Sequence, residues 1–265
     1  EIVLSFMGGD HLVCNKTFKG ILAYDGNSFH DLDVGTQTHD PANINSSGYT
    51  ACSSTLGNKT IFGGWFRSVG SNTVKAVSLA QWDGTNWDMF PKTPFTYKDA
   101  TTNWQSPSIY GFSKFENKLW IYGGIDSLGG VTGKNLFTFD GANFAPVNIP
   151  VDYNNAVLHS CIYNGELYLA GGFGNIPLDN YHYIIRYKNG IWNNVGTGVK
   201  TSLGGVYDMV VYKDTLYVAG SYQKSDGNAG NNLMKWDGTQ WYDAGFGGFY
   251  GWGGINQLLV FNNRL

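Results

Sequence analysis

The chain has 265 residues, 42% of them hydrophobic and 16% aromatic, with 37 glycines and only 14% charged side chains. A formal net charge of −3 with no basic block argues against a nucleic-acid partner. No apolar run approaches the roughly 18 residues of a membrane-spanning helix, so membrane insertion is not expected.

A chain rich in glycine and aromatics but poor in charge suits an all-β fold with many tight turns. The opening stretch "EIVLSFMGG" has no basic segment and too short an apolar run for a secretory leader. Cys14, Cys52 and Cys161 allow at most one disulfide and form no C-x-x-C pair. His11, His30, His39, His159 and His182 are scattered, with no two at metal-ligand spacing. Neither a metal nor a cofactor is expected.

In chain order, the first predicted strand is "LSFMGG" (Leu4–Gly9), and "AYDGNSF" (Ala23–Phe29) is a hairpin. The same succession returns four times. "TIFGG" precedes "QWDGTNW", "LWIYGG" precedes "TFDGANF", "LYLAGG" precedes "RYKNGIW", and "LYVAG" precedes "KWDGTQW". The turn glycines Gly26, Gly84, Gly141, Gly190 and Gly238 lie 58, 57, 49 and 48 residues apart. Asp-Gly or Asn-Gly between short apolar strands is a strong hairpin signal. Four of the Gly-terminated strands follow a turn, "LGNK", "FENK", "YNGE" or "YKDT", and "FNNR" (Phe261–Arg264) repeats it a last time. Ahead of each turn runs another apolar strand, such as "VYDMVVY" (Val206–Tyr212) or "INQLLVF" (Ile255–Phe261).

Each repeat therefore holds four strands. Naming them from the innermost, a turns tightly into b, a loop leads to c, and the Asp-Gly turn leads to d. Four-stranded units at this period describe β-propeller blades. In b-c-d-a order the repeats cover roughly 1–58, 59–118, 119–166, 167–215 and 216–265, read as one domain. "INQLLVF" is expected to complete the blade begun by the first strand b, closing five four-stranded blades without an open edge. The alternative is a fragment of a longer propeller whose next unit starts at Leu265.

The pattern resembles the kelch repeat: glycines ending the second strand, then an aromatic, then a second aromatic in the fourth strand. Gly220, Trp236 and Trp241 carry it in one repeat, and Gly123, Gly124, Phe139 and Phe144 in another. It is also similar to propeller repeats of secreted bacterial surface proteins. The resemblance covers essentially the whole chain and implies a propeller serving as a protein-binding module, a lectin-like module or an oxidase scaffold. The Tyr and His copper ligands of the galactose oxidases have no counterpart in spacing here.

Aromatics that recur in every repeat are expected to pack blade against blade. Function should lie where the blades differ. The a–b and c–d turns are short and uniform and share one face. The b–c and d–a loops are long and divergent and share the other, among them Asp10–Lys19, Asp33–Gly48, Trp65–Lys75, Phe90–Pro107 and Asp179–Tyr183. The ligand-binding candidates on that face are Trp65, Phe66, Arg67, Trp104, Asp126, Tyr181, Phe249, Tyr250 and Trp252. Aromatic platforms beside Asp and Arg suit a sugar ring or a protein interface. Strand a carries Cys52, Gly111, His159, Asp208 and Gln257 at one equivalent position. Of these, His159, Asp208 and Gln257 are candidates for holding a ligand group or an ion at the mouth of the central channel.

No catalytic motif occurs, so no catalytic residue is assigned. The expected function is a non-catalytic recognition module of a secreted or cell-surface protein, binding a glycan or protein ligand as part of a larger multidomain protein or complex. A glycan-acting enzyme and a structural accessory subunit are the alternatives.

Overall fold

A computed structural model describes residues 2–13, 16–24, 27–31, 49–66, 68–70, 74, 76–90, 108–149, 157–171, 183–201, 204–247 and 253–265. The chain is all-β. The first sheet holds β1 (Ile2–Val13), β2 (Lys16–Tyr24) and β3 (Phe29–Asp31). The second is β4 (Tyr49–Leu56), β5 (Lys59–Trp65), β6 (Leu79–Trp82) and β7 (Trp87–Met89). The third takes β8 (Ser108–Phe115) and β9 (Lys118–Gly124). A separate hairpin, β10 (Ser127–Leu128) and β11 (Val131–Thr132), intervenes before its last strands, β12 (Leu136–Phe139) and β13 (Phe144–Pro146). The fourth is β14 (Val157–Tyr163), β15 (Glu166–Gly171), β16 (Ile184–Lys188) and β17 (Ile191–Asn194). The fifth is β18 (Val206–Tyr212), β19 (Thr215–Gly220), β20 (Leu233–Trp236) and β21 (Trp241–Asp243).

Sheets two to five each place their strands in chain order, a beside b, b beside c, c beside d. The described residues group into two compact units, residues 1–112 with 123–146 and residues 113–122 with 147–265.

The predicted turns explain themselves locally. At the c–d turns Asp83, Asp140 and Asp237 each accept two backbone N–H bonds from the residues two and three ahead. Gly84, Gly141 and Gly238 then take φ of 101°, 103° and 103°, which only glycine adopts cheaply. The fourth sheet reaches the same span with an Asn189-Gly190 turn, both residues left-handed. On either side of each turn the recurring aromatics face one another, at ring separations of 5.2 Å (Trp82–Trp87), 4.7 Å (Phe139–Phe144), 4.8 Å (Tyr187–Trp192) and 5.1 Å (Trp236–Trp241).

These pairs receive side chains from the preceding sheet. In the first unit Phe90 stacks edge-on against Phe139. In the second, Trp120 of β9 packs on Tyr187 and Trp192. One sheet further on, Trp236 lies in one core with Tyr168, Val195 and Val199. Its indole donates to Tyr168 Oη at 3.3 Å, and Trp241 donates to Val195 O at 2.9 Å.

The glycines ending strand b have a separate cause. A Cβ on Gly64, Gly123 or Gly220 would stand 2.2, 1.9 or 2.0 Å from the carbonyl oxygen of Tyr49, Ser108 or Gly205, at or just before the start of strand a. Each of these glycines, and Gly171, donates its N–H to a residue just before strand c: Ser78, Asn135, Tyr183 or Asn232. All four acceptors are left-handed, with φ near 60°.

The first sheet departs from expectation. Asp10–Lys19, predicted as a b–c loop, is mostly strand, because β1 and β2 run on and pair Asp10 with Lys19 and Val13 with Lys16. Its ladder pairs Tyr24 with Ile2, whereas the equivalent Trp236 pairs with Leu216, the counterpart of Leu4. The register is thus two residues out of step. With three strands among the described residues, this sheet has fewer neighbours to fix its register. The predicted last strand a, Ile255–Phe261, lies in no ladder among the described residues, although its turn closes as a bridge between Phe261 and Arg264.

Candidate functional site

In the second unit the a–b turn of the third sheet touches the c–d turn of the fourth, where Glu116 Oε1 accepts from Asn189 N at 2.6 Å. The b–c loop of the fifth sheet binds the d–a segments on either side of it. Asn228 accepts from Lys200 N at 2.9 Å and donates to Lys200 O at 2.6 Å. Asn231 Nδ2 donates to Gly247 O at 3.4 Å and Asn232 Nδ2 to Gly253 O at 3.0 Å. Lys224, in a single 3-10 turn (Lys224–Asp226), pairs with Asp243.

The sequence candidates fare unevenly. Trp65 ends β5 half-buried, its ring 6.2 Å from Tyr49. Asp126 is exposed at the base of the β10–β11 hairpin, where its carbonyl accepts from Gly133 N.

Phe66 is corrected: it is 2% exposed and packs with Phe62, Val69, Ala76 and Ala80. Its carbonyl accepts from Ser78 N just as those of Ile125 and Tyr222 accept from Asn135 and Asn232, so it holds a repeated core position. The signal was present as an apolar residue two places after the glycine that abuts strand a, Gly64, Gly123 or Gly220. An intervening Trp65 disguised it as part of a surface aromatic pair. Arg67, Trp104, Tyr181, Phe249, Tyr250 and Trp252 lie outside the described residues.

On the inner strands, the equivalence of Cys52, His159 and Asp208 is real. Each follows a β-bulge that leaves Ala51, Leu158 or Tyr207 unpaired. Each also bonds onward. Cys52 Sγ lies 4.0 Å from Ile109 O. His159 Nε2 lies 2.9 Å from Asp208 Oδ1. Asp208 Oδ2 accepts from Leu258 N at 2.5 Å, and its Oδ1 also accepts from Met209 N. Gln257 is exposed, and its neighbour Leu258 makes the contact instead. Backbone donors of this kind leave no mark in a residue pattern.

Burial alone would raise the Asp208 carboxyl. The His159 hydrogen bond and the Leu258 and Met209 N–H groups outweigh it and hold the carboxyl below the usual aspartate range. His159 Nδ1 is buried with no partner among the described residues, which suits a tautomer carrying its proton on Nε2 toward Asp208.

Neither neighbour of this pair on β14 offers it an activated nucleophile. The adjacent hydroxyl, Ser160, leaves the strand on the opposite side, where it bonds to Ser113 and Tyr122. Burial and the charge of Asp208 push the Cys161 thiol up to about 11, so no thiolate is present at neutral pH. Among the described residues no three His, Cys, Asp or Glu side chains converge as a metal site would require.

No protein-family model and no curated protein matches the chain. Among solved structures it is similar to the β-propeller domain of the Trilobed protease from Pyrococcus furiosus, with 12% identity, a TM-score of 0.38 and 71% of this chain covered. It is also similar to the extracellular domain of a putative hybrid two-component system from B. thetaiotaomicron, with 13% identity, a TM-score of 0.39 and 91% of this chain covered. The chain spans 50% of the length of the first and 32% of the second. No helix among the described residues is long and apolar enough to cross a membrane.

Proposed function

We propose that the chain is a kelch-like β-propeller of five four-stranded blades, closed by Ile255–Phe261 pairing with β1, and that it serves as a non-catalytic recognition module. Its ligand is a glycan or a protein surface, held by the b–c and d–a loops of an extracellular or cell-surface protein. The observation that carries the reading is the loop cluster of the fifth sheet. There three asparagines, Asn228, Asn231 and Asn232, tie one b–c loop to two d–a segments. The a–b and c–d turns, by contrast, are short and near-identical. A rigid scaffold with cross-braced, divergent loops on one face is how binding surfaces are built.

Within this reading Trp65, Arg67, Trp104, Asp126, Tyr181, Phe249, Tyr250 and Trp252 form the surface. The test is a glycan array and a partner pull-down with the wild type beside Trp65→Ala and Trp252→Ala. Binding that falls at least tenfold in either variant, with an unchanged melting temperature, supports the reading. Binding that survives both substitutions overturns it.

A further inference from the structure

The C-terminal segment is seated like an inner strand although it has no ladder. Tyr163, the last residue of β14, donates its hydroxyl to Asp214 O, the second residue of the next a–b turn, at 3.1 Å. Tyr212, the last residue of β18, donates in the same way to Asn263 O at 2.8 Å. Asn262 and Asn263 take φ of 47° and 57°, matching 48° and 54° at Lys213 and Asp214. The segment thus stands to the fifth sheet as the fifth sheet stands to the fourth. Its apolar side chains are nevertheless open, with Leu259 71% and Phe261 68% exposed.

Few described hydrogen bonds hold it there. Ile255 N donates to Gly220 O at 3.2 Å, Gly253 O accepts from Asn232, and Asn263 O accepts from Tyr212. Among the described residues the one bond to a charged group is Leu258 N to Asp208. A charge-assisted bond from a buried carboxylate is roughly twice as strong as a neutral one.

We propose that Asp208 is the clasp that seats Gly253–Leu265 as a preformed inner strand, with His159 as the positioning residue that holds its carboxylate in place. The strand's ladder edge is the one that β1 would join in the closed ring proposed above. The clasp joins three elements at one carboxylate: β14 through His159, β18 through the Met209 amide, and the terminal segment through the Leu258 amide. The titratable groups facing it are His159 and Cys161, both from β14. From β18 and the terminal segment only backbone N–H groups reach it.

The test reads the Leu258 amide directly by NMR in the full chain, as its proton chemical shift and its hydrogen-exchange rate. In the wild type the Leu258 and Met209 amides should titrate together as Asp208 protonates. In Asp208→Asn, exchange across residues 255–261 should rise at least tenfold while the β19 and β20 amides keep their protection. In His159→Ala the titration of both amides should move to higher pH, which a merely space-filling histidine would not produce. Leu258→Pro removes the donor and leaves Asp208 in place, so it should also release the segment even if Asp208→Asn proves unstable. A Leu258 amide indifferent to Asp208 protonation, or a segment whose exchange is unchanged in both variants, overturns the clasp. These readouts are independent of ligand binding, so the recognition reading stands or falls separately.

Discussion

Gly196 shows how a single residue in this chain divides into structure and filler. It lies in the turn just past the fourth sheet with φ of 57°, and a Cβ there would stand 2.7 Å from Cζ3 of Trp236. Gly196→Ala adds backbone strain to an overlap with a ring that is itself 2% exposed. The expected loss is about 2–4 kcal/mol in chemical denaturation. Gly247 is the contrasting case. Among the described residues nothing lies within 4 Å of a Cβ built there, so Gly247→Ala should change stability by no more than about 0.5 kcal/mol. Equal losses at the two positions would mean that the Trp236 contact does not limit Gly196. The sequence marks both alike as glycine, since φ and the nearest neighbour are properties of the fold.

Among elements, the c–d turns carry a pH signature. Backbone N–H groups bonded to Asp83, Asp140 and Asp237 hold all three carboxyls below the usual aspartate value of about 3.9. A carboxyl with a depressed folded pKa contributes stability above its unfolded pKa and loses it as pH falls through the folded value. The melting temperature should therefore decline on acidification below about pH 4. Asp83→Asn, Asp140→Asn and Asp237→Asn combined should flatten that acid limb, since asparagine still accepts the turn bonds and does not titrate. A limb of undiminished slope in the triple variant would place the acid sensitivity elsewhere, with Asp208 the next group to examine.

The aromatics flanking these turns join one sheet to the next, so Trp236→Ala should cost about 3–5 kcal/mol by leaving a cavity in the core shared by the fourth and fifth sheets. These parts were legible in the residues, because a turn that needs Asp-Gly and a contact that needs two rings leave both at fixed spacing in every repeat. The left-handed residue before strand c was not legible. Its four occupants, Ser78, Asn135, Tyr183 and Asn232, share a backbone conformation and an N–H···O bond but no side chain. The β10–β11 hairpin was missed for a different reason. It has two residues per strand around Gly129-Gly130, too short for alternation to show.

For the whole molecule the open question is one of complementary edges. Among the described residues the first sheet has β1 at its edge, and the terminal segment, which the repeat aligns with an inner strand, lies in no ladder. If the two join, the ladders elsewhere dictate the register. Val211 pairs with Leu216 in the fifth sheet, and the counterparts of those residues are Val260 and Leu4. Cysteines placed at Val260 and Leu4 should then form an intramolecular disulfide under mild oxidation, since directly opposed strand positions bring Cβ atoms roughly 4.5–5.5 Å apart. The two-residue offset seen between β1 and β2 supplies an internal control. If the offset governs the whole first sheet, Val260→Cys should link instead to cysteine at Ile2. Peptide mapping separates these bonds from any involving Cys14, Cys52 or Cys161, and dilution separates them from bonds between chains. A link at Leu4 would show that the terminal strand obeys the repeat and that the offset is confined to the β1–β2 ladder. A link at Ile2 would show that the first sheet as a whole is shifted. Failure of both pairs would break the closed five-bladed ring, and with it the expectation that the sheet edges of this chain satisfy one another.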